Sequence, residues 1–210
     1  MPLQNRVLPT GEIVADPARG LFTGNRGIIH LEGRKLGAPR WSHHAWICCT
    51  LDWQSRRRDV MSGRKWTELF FLDEAVSLAA GHRPCGYCRR SDYLRFVDAW
   101  DAATGARPKA AAMDKALHAA RIVPRSRRQL RHKADLDALP DGAFVRHSGA
   151  PHLVRADALF PYTPQGYGPP VGRTQGALEV LTPAPILAVL RAGYAPVIHP
   201  SADDGVGARV

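Results

Sequence analysis

The sequence predicts an α+β protein: an N-terminal antiparallel β-meander with short helices around a cysteine knuckle, followed by a smaller C-terminal α+β part. Two observations lead there. Short segments rich in β-branched and aromatic residues, punctuated by Gly and Pro, fill the first third of the chain, and apolar residues at helical spacing follow only afterwards. With 210 residues, 45% hydrophobic and 23% charged, the chain has enough apolar content to bury a core.

Taken in order, strands are expected at 11–15, 21–25, 28–36, 45–53 and 60–71. Within 45–53 the alternation places Ile47, Cys49, Leu51 and Trp53 on one face and Trp46, Cys48, Thr50 and Asp52 on the other. Adjacent Cys48 and Cys49 therefore point opposite ways. A short helix over 73–80 has Asp73 and Glu74 in its first turn and Gly81 at its stop. Ser91 is the expected N-cap of the next helix, whose Tyr93, Phe96, Val97 and Trp100 share one face and which ends near Gly105. A connection over 105–112 leads to a helix over 113–121. Ser148-Gly149 marks a hairpin between strands at 143–147 and 152–154, with a further strand at 158–162. After a Pro- and Gly-rich loop over 163–176, a last helix takes Thr182 as cap, Pro183 at its first position and Gly193 at its stop. From His199 the chain reads as a disordered tail. The expected units are thus 1–105, a basic helical connection over 106–135, a C-terminal part over 136–198, and the tail 199–210.

Lys and Arg number 29 against 19 Asp and Glu, a net charge of +10 that favours polyanions such as nucleic acid as partners. Six of the cations, Arg121, Arg125, Arg127, Arg128, Arg131 and Lys133, fall within thirteen residues that hold no acid. Arg125, Arg127, Arg128 and Arg131 are candidate phosphate contacts, as are Arg83, Arg89 and Arg90 beside the knuckle, with Arg56, Arg57 and Arg58 adding charge nearby. Solvated surface charge is the plainer use of such a run. Trp41, Trp46, Trp53 and Trp66 suit either core packing or stacking on bases. No apolar run is long enough for a membrane span, and the N-terminus lacks the hydrophobic stretch of a signal peptide, so a cytoplasmic protein is expected. The sequence holds no convincing Ser/His/Asp triad and no phosphate-cradling glycine loop.

Four cysteines without an export signal argue against a disulfide scaffold, and the Cys85-Gly86-Tyr87-Cys88 spacing argues for a metal. Two thiolates two residues apart can grip one tetrahedral zinc ion, with Gly86 expected to ease the turn. Buried free thiols and a redox dithiol are the alternatives. Upstream, His30, His43, His44, Cys48 and Cys49 are the available ligands. Cys49 ranks first, because it shares the face of Ile47 and Leu51 and structural zinc seats against a small core, and His30 ranks second.

The segments Phe70-Phe71-Leu72-Asp73-Glu74-Ala75 and Leu78-Ala79-Ala80-Gly81-His82-Arg83-Pro84-Cys85-Gly86-Tyr87-Cys88 resemble the zinc domain of Ada-type DNA repair proteins and its small relatives. Gly24-Asn25-Arg26-Gly27-Ile28-Ile29-His30 is similar to the segment that supplies a first ligand in relatives that use His there. The resemblance spans about residues 20–100 and implies zinc held by Cys85, Cys88 and His30, with DNA rather than RNA as partner. The family's further Cys, a few residues beyond the first ligand, is replaced here by Arg34. Either Cys49 completes the site from a neighbouring strand, or the site has a different fourth ligand.

A zinc-stabilised nucleic-acid-binding protein is therefore the expected function. One alternative is a zinc enzyme acting on nucleic acid or a nucleobase, since His30-Leu31-Glu32 with Pro84-Cys85 and Cys88 reproduces the letters of the nucleobase deaminase signature, Glu32 being its general base. Against it, Gly33, Gly37 and Pro39 disfavour the helix which that fold needs after the His. A second alternative is an Ada-like thiolate methyl acceptor.

Overall fold

The computed structural model describes residues 1–55, 59–63 and 65–203, and Arg56, Arg57 and Arg58 lie outside them. The chain opens with β1 (Gln4–Val7), β2 (Ile13–Ala15) and β3 (Phe22–Asn25), a small hairpin of β4 (His30–Leu31) and β5 (Lys35–Leu36), then β6 (Ile47–Thr50) and β7 (Leu69–Phe71). Next come α1 (Glu74–Ala79), β8 (Arg83–Pro84), α2 (Arg90–Thr104) and α3 (Ala110–Arg121). The remainder runs through β9 (His132–Asp135), β10 (Phe144–His147), β11 (Ala150–Arg155), β12 (Ala158–Thr163), β13 (Gly166–Tyr167), β14 (Val171–Gly172) and β15 (Ala177–Val180) to α4 (Ala184–Arg191). The class is mixed α+β.

The first sheet has the order β2-β1-β7-β3-β6-β8. It is not the expected meander: β7 enters between β1 and β3, and the pairs β1/β7 and β6/β8 run parallel. A meander needs a hairpin at each step. Here the expected strands at 28–36 and 60–71 leave the sheet, the former folding into the separate β4/β5 hairpin, the latter joining only at Leu69–Phe71. The second sheet, β13-β12-β11-β10-β15-β9 with β14 on β12, includes the predicted hairpin. Its turn residues Ser148 and Gly149 both take positive φ, 48° and 81°, as a two-residue turn between twisted strands requires.

The two sheets share a core. Val7, Leu69, Phe71, Val76 and Ala79 form one buried cluster with Phe144, Leu153, Phe160 and Leu181, so the C-terminal sheet does not have an apolar centre of its own. A second cluster joins Phe96 and Trp100 of α2 to Met113 and Leu117 of α3 and to Ile186 and Leu190 of α4.

Every residue of α1 is buried, Glu74 included. Asp73 caps the helix through Val76 N–H at 2.9 Å and also accepts from Tyr167 Oη at 2.7 Å and His199 N–H at 3.0 Å. Glu74 accepts from Tyr194 Oη at 2.6 Å and Val197 N–H at 3.0 Å. These bonds correct the first residues of the expected tail, whose remainder, 204–210, lies outside the described residues: His199 is tied to Asp73, and Ala202 in the turn Pro200–Ala202 is fully buried. Three helix boundaries also move. α2 begins at Arg90 with Ser91 inside it, α3 begins at Ala110, and Thr182 spends its hydroxyl on Phe144 N–H at 2.9 Å instead of capping α4. No helix among the described residues is long and apolar enough to cross a membrane.

Candidate metal centre

β6 lies between β3 and β8, and its register builds the site. Cys48 pairs with Pro84 in the parallel β6/β8 pair, and Cys85 N–H donates to Cys48 O at 2.9 Å. The next residue on each strand is then Cys49 beside Cys85. On the other side of β6, Gly24 lets β3 pack closely, since a Cβ there would lie 2.1 Å from Ile47 O. After Cys85 the chain turns, Arg89 N–H donates to Cys85 O at 3.1 Å, and α2 starts at once, which brings Cys88 back to the other two. The ligand atoms of Cys49, Cys85 and Cys88 all lie within 4.8 Å of one another.

That separation suits zinc. Thiolate sulfurs at about 2.3 Å from a tetrahedral ion sit about 3.8 Å apart. The charges agree. Cys85 is held well below the ordinary thiol range, first by the Cys49 and Cys88 thiols that donate to it and then by the N–H groups of Cys88 and Tyr87, against the effect of burial. Cys49 is pushed up because its proton serves those two neighbours, with burial adding to the effect. Cys88 is drawn down by Cys49, but Cys85 and burial outweigh this and leave it raised. One thiolate forms easily in this trio, while the other two keep their protons unless a cation takes their place. Cys48 is different: burial raises it to about 12, so it is a neutral core thiol that receives a hydrogen bond from Arg89 Nη1 at 3.4 Å.

Cys49 joins Cys85 and Cys88, but the expected reason is reversed. The core side of β6 is that of Trp46 and Cys48, at 1% and 0% exposure, whereas Leu51 on the side of Cys49 is 50% exposed. Nor does the knuckle turn require Gly86, whose φ is not left-handed and whose Cβ would meet Tyr93 at an ordinary 3.5 Å.

His30 is not brought to this group. It sits on the separate β4/β5 hairpin, where Nδ1 lies 2.7 Å from Thr67 Oγ1 and Nε2 lies 3.0 Å from Gly63 O. Glu32 is exposed on a 3-10 turn after β4, so the deaminase-like set of His30, Glu32, Cys85 and Cys88 does not assemble. Among the described residues no other His, Cys, Asp or Glu offers a ligand atom to the three sulfurs.

The candidate arginines divide into two kinds. Arg83 forms a two-pronged buried pair with Asp114 at 2.7 and 2.8 Å, and Arg89 lies buried against Glu74 at 2.9 Å and the Phe22 ring at 4.4 Å. Arg131 donates to Leu181 O at 2.9 Å and Thr10 O at 2.5 Å. These three brace the fold, which corrects their expected place at phosphates. Arg90, Arg125, Arg127 and Arg128 are exposed. The run after Arg121 is a turn and not a helix, because Leu130 N–H donates back to Arg121 O at 2.8 Å and Val123 N–H donates to Arg128 O at 3.0 Å. Asp114→Ala, by stranding the Arg83 charge, is expected to cost about 3–5 kcal/mol in urea unfolding while leaving the metal content unchanged. Loss of metal without loss of stability would contradict that role.

Arg26 and Arg121 carry no sequence mark that distinguishes them from surface arginines, yet they are 2% and 0% exposed. Both stack on the Trp46 ring, at 4.0 and 3.8 Å, and donate to the carbonyls of Gly11, Gly81 and His44. Burial lowers them to about 9 and about 8. No protein-family model matches the chain, and no curated protein or solved structure does either.

Proposed function

We propose that this is a zinc-stabilised nucleic-acid-binding protein, with Cys49, Cys85 and Cys88 as metal ligands and DNA as the partner. The convergence of the three sulfurs within 4.8 Å carries the metal. In this reading zinc ties β6 to the turn before α2, and its chemistry is the cross-linking of thiolates. The nucleic acid is supported by the net charge of +10 and by Arg125, Arg127 and Arg128, which stand exposed on one turn. The resemblance to Ada-type domains favours DNA over RNA.

Filter binding of DNA across a salt series tests the partner. Wild type is expected to bind with an affinity that falls steeply with salt, and replacing Arg125, Arg127 and Arg128 by Ala should lower the slope by about 0.9 per lost phosphate contact on duplex DNA. Retention of RNA alone would replace the partner. Absence of salt-dependent retention of either polymer would end the nucleic-acid reading.

A second reading is favoured by the number of ligands. Three protein ligands with a fourth position open to solvent is the pattern of a catalytic zinc site. In the cobalt-substituted protein, a d–d spectrum that shifts saturably with thiocyanate supports an open position, and a spectrum unmoved by thiocyanate supports a closed structural site.

A further inference from the structure

Next to the arginine turn the surface is hollowed into a groove of about 650 Å³, lined by Trp41, His118, Ala119, Ile122, Arg125 and Arg127 with Pro124 and Ser126. Among the described residues no acid lines it. Its volume lies within the range of about 300–1,000 Å³ found for small-ligand sites, which is too small for a duplex but ample for one base.

The aromatic floor is built in layers. Trp41 is half-buried, edge-on to His118 at 5.5 Å and backed by Trp46 at 5.8 Å. His118 is stacked on His44 at 3.8 Å and lies 3.4 Å from Arg121 Nη2. Burial, then Arg121 and His44, lower His118 to about 4, so its ring is neutral near pH 7 and the positive charge of the groove comes from the arginines. An indole held by two rings, Trp46 and His118, each of which is itself in contact with the buried Arg121, is a rigid platform, and stacking on such a platform tolerates any base.

We propose that the groove takes one unstacked base of a single-stranded DNA segment against Trp41, with the flanking phosphates on Arg125 and Arg127. The inference rests on the nucleic-acid reading and names its site and strand form. Charge complementarity selects the occupant: an aromatic floor with two exposed arginines at its rim and, among the described residues, no acid matches a base with its phosphates, whereas a neutral apolar peptide would leave the guanidiniums without counter-charge. A paired base would first have to leave its stack, which costs a few kcal/mol, so single strands are preferred over duplex.

The test is fluorescence anisotropy with a labelled single-stranded oligonucleotide and a duplex of the same length, at several salt concentrations. Wild type is expected to prefer the single strand, Trp41→Ala to weaken it by about 5–150-fold, the range of one lost base stack, and Trp41→Phe to recover most of that loss. Because Trp41 also packs on Trp46, a second variant avoids the core: Ala119→Glu places an acid in the groove from the exposed face of α3 and should weaken the single strand at least fivefold at unchanged melting temperature. Equal binding of single strand and duplex, unaffected by Ala119→Glu, overturns the groove and leaves the nucleic-acid reading standing. No salt-dependent binding in wild type overturns both.

Discussion

Stripping the metal with a chelator, or replacing Cys85 by Ala, is expected to lower the thermal midpoint by on the order of 10 °C. The site joins Cys49 on the β6 strand to Cys85 and Cys88 on either side of the turn into α2, segments 36 residues or more apart in sequence. A structural zinc supplies folding free energy, and a loss of about 3–5 kcal/mol moves the midpoint by about 2–4 °C per kcal/mol in a chain of this size. Cys48→Ala provides the contrast, because that thiol belongs to the core and not to the metal. It should keep one metal ion per chain at a cost of about 1 kcal/mol, whereas Cys49→Ala and Cys85→Ala should lose the ion. Acid should act in the same direction as chelation: metal binding displaces protons from the thiols, so affinity falls as pH falls, and release to a fixed chelator should be more complete at pH 6 than at pH 8. Melting curves that superimpose with and without chelator, in samples whose metal content differs by mass spectrometry, would refute a structural ion.

Glu74→Ala is expected to cost about 3–5 kcal/mol, because it removes a buried carboxylate from an ion pair and from two hydrogen bonds. The carboxylate is fully buried, and its removal takes one of two carboxylates from Arg89, leaving Asp92 at 2.8 Å, while freeing Tyr194 Oη and Val197 N–H. Glu74→Gln keeps the shape and part of the hydrogen bonding but leaves the guanidinium with Asp92 as its carboxylate, so its cost should fall between zero and that of Ala. Glu179→Ala is the control. Its pair with Arg146 spans 3.2 Å, and both side chains are 38% exposed, so its loss should cost no more than about 1 kcal/mol. Equal urea midpoints for the Glu74 and Glu179 variants would show that the buried network does not hold the C-terminal segment.

Much of the local structure was legible because it depends on neighbours in sequence. Gly81, Gly105 and Gly193 after helices and the Ser148-Gly149 turn stand where their φ preferences place them, while Asp73, expected in the first turn of α1, is its cap. Sheet order was not legible. Nothing local tells β7 to insert between β1 and β3, or β8 to run parallel to β6, since those pairings are set by which faces can be buried together. Asp73, the cap of α1, and Glu74, its first residue, show the same divide. Their position in the first turn reads as favourable to the helix dipole, but their full burial depends on Tyr167, Tyr194 and the segment from Val197 to His199, more than ninety residues away.

At the site the sequence by itself determined the Cys85 and Cys88 pair, because two ligands two residues apart need only one turn to converge. It also determined that Cys48 and Cys49 face opposite ways, because strand alternation is local. Which of them meets the pair was decided by the β6/β8 register, and His30 was set aside by the separate β4/β5 hairpin. The arginines divide likewise: composition gives their number, but a guanidinium becomes a brace or a surface charge according to what packs around it. Arg83, Arg89 and Arg131 found carboxylates or carbonyls inside, and Arg125, Arg127 and Arg128 remained on an exposed turn, because burial is a property of the assembled layers and not of the residue.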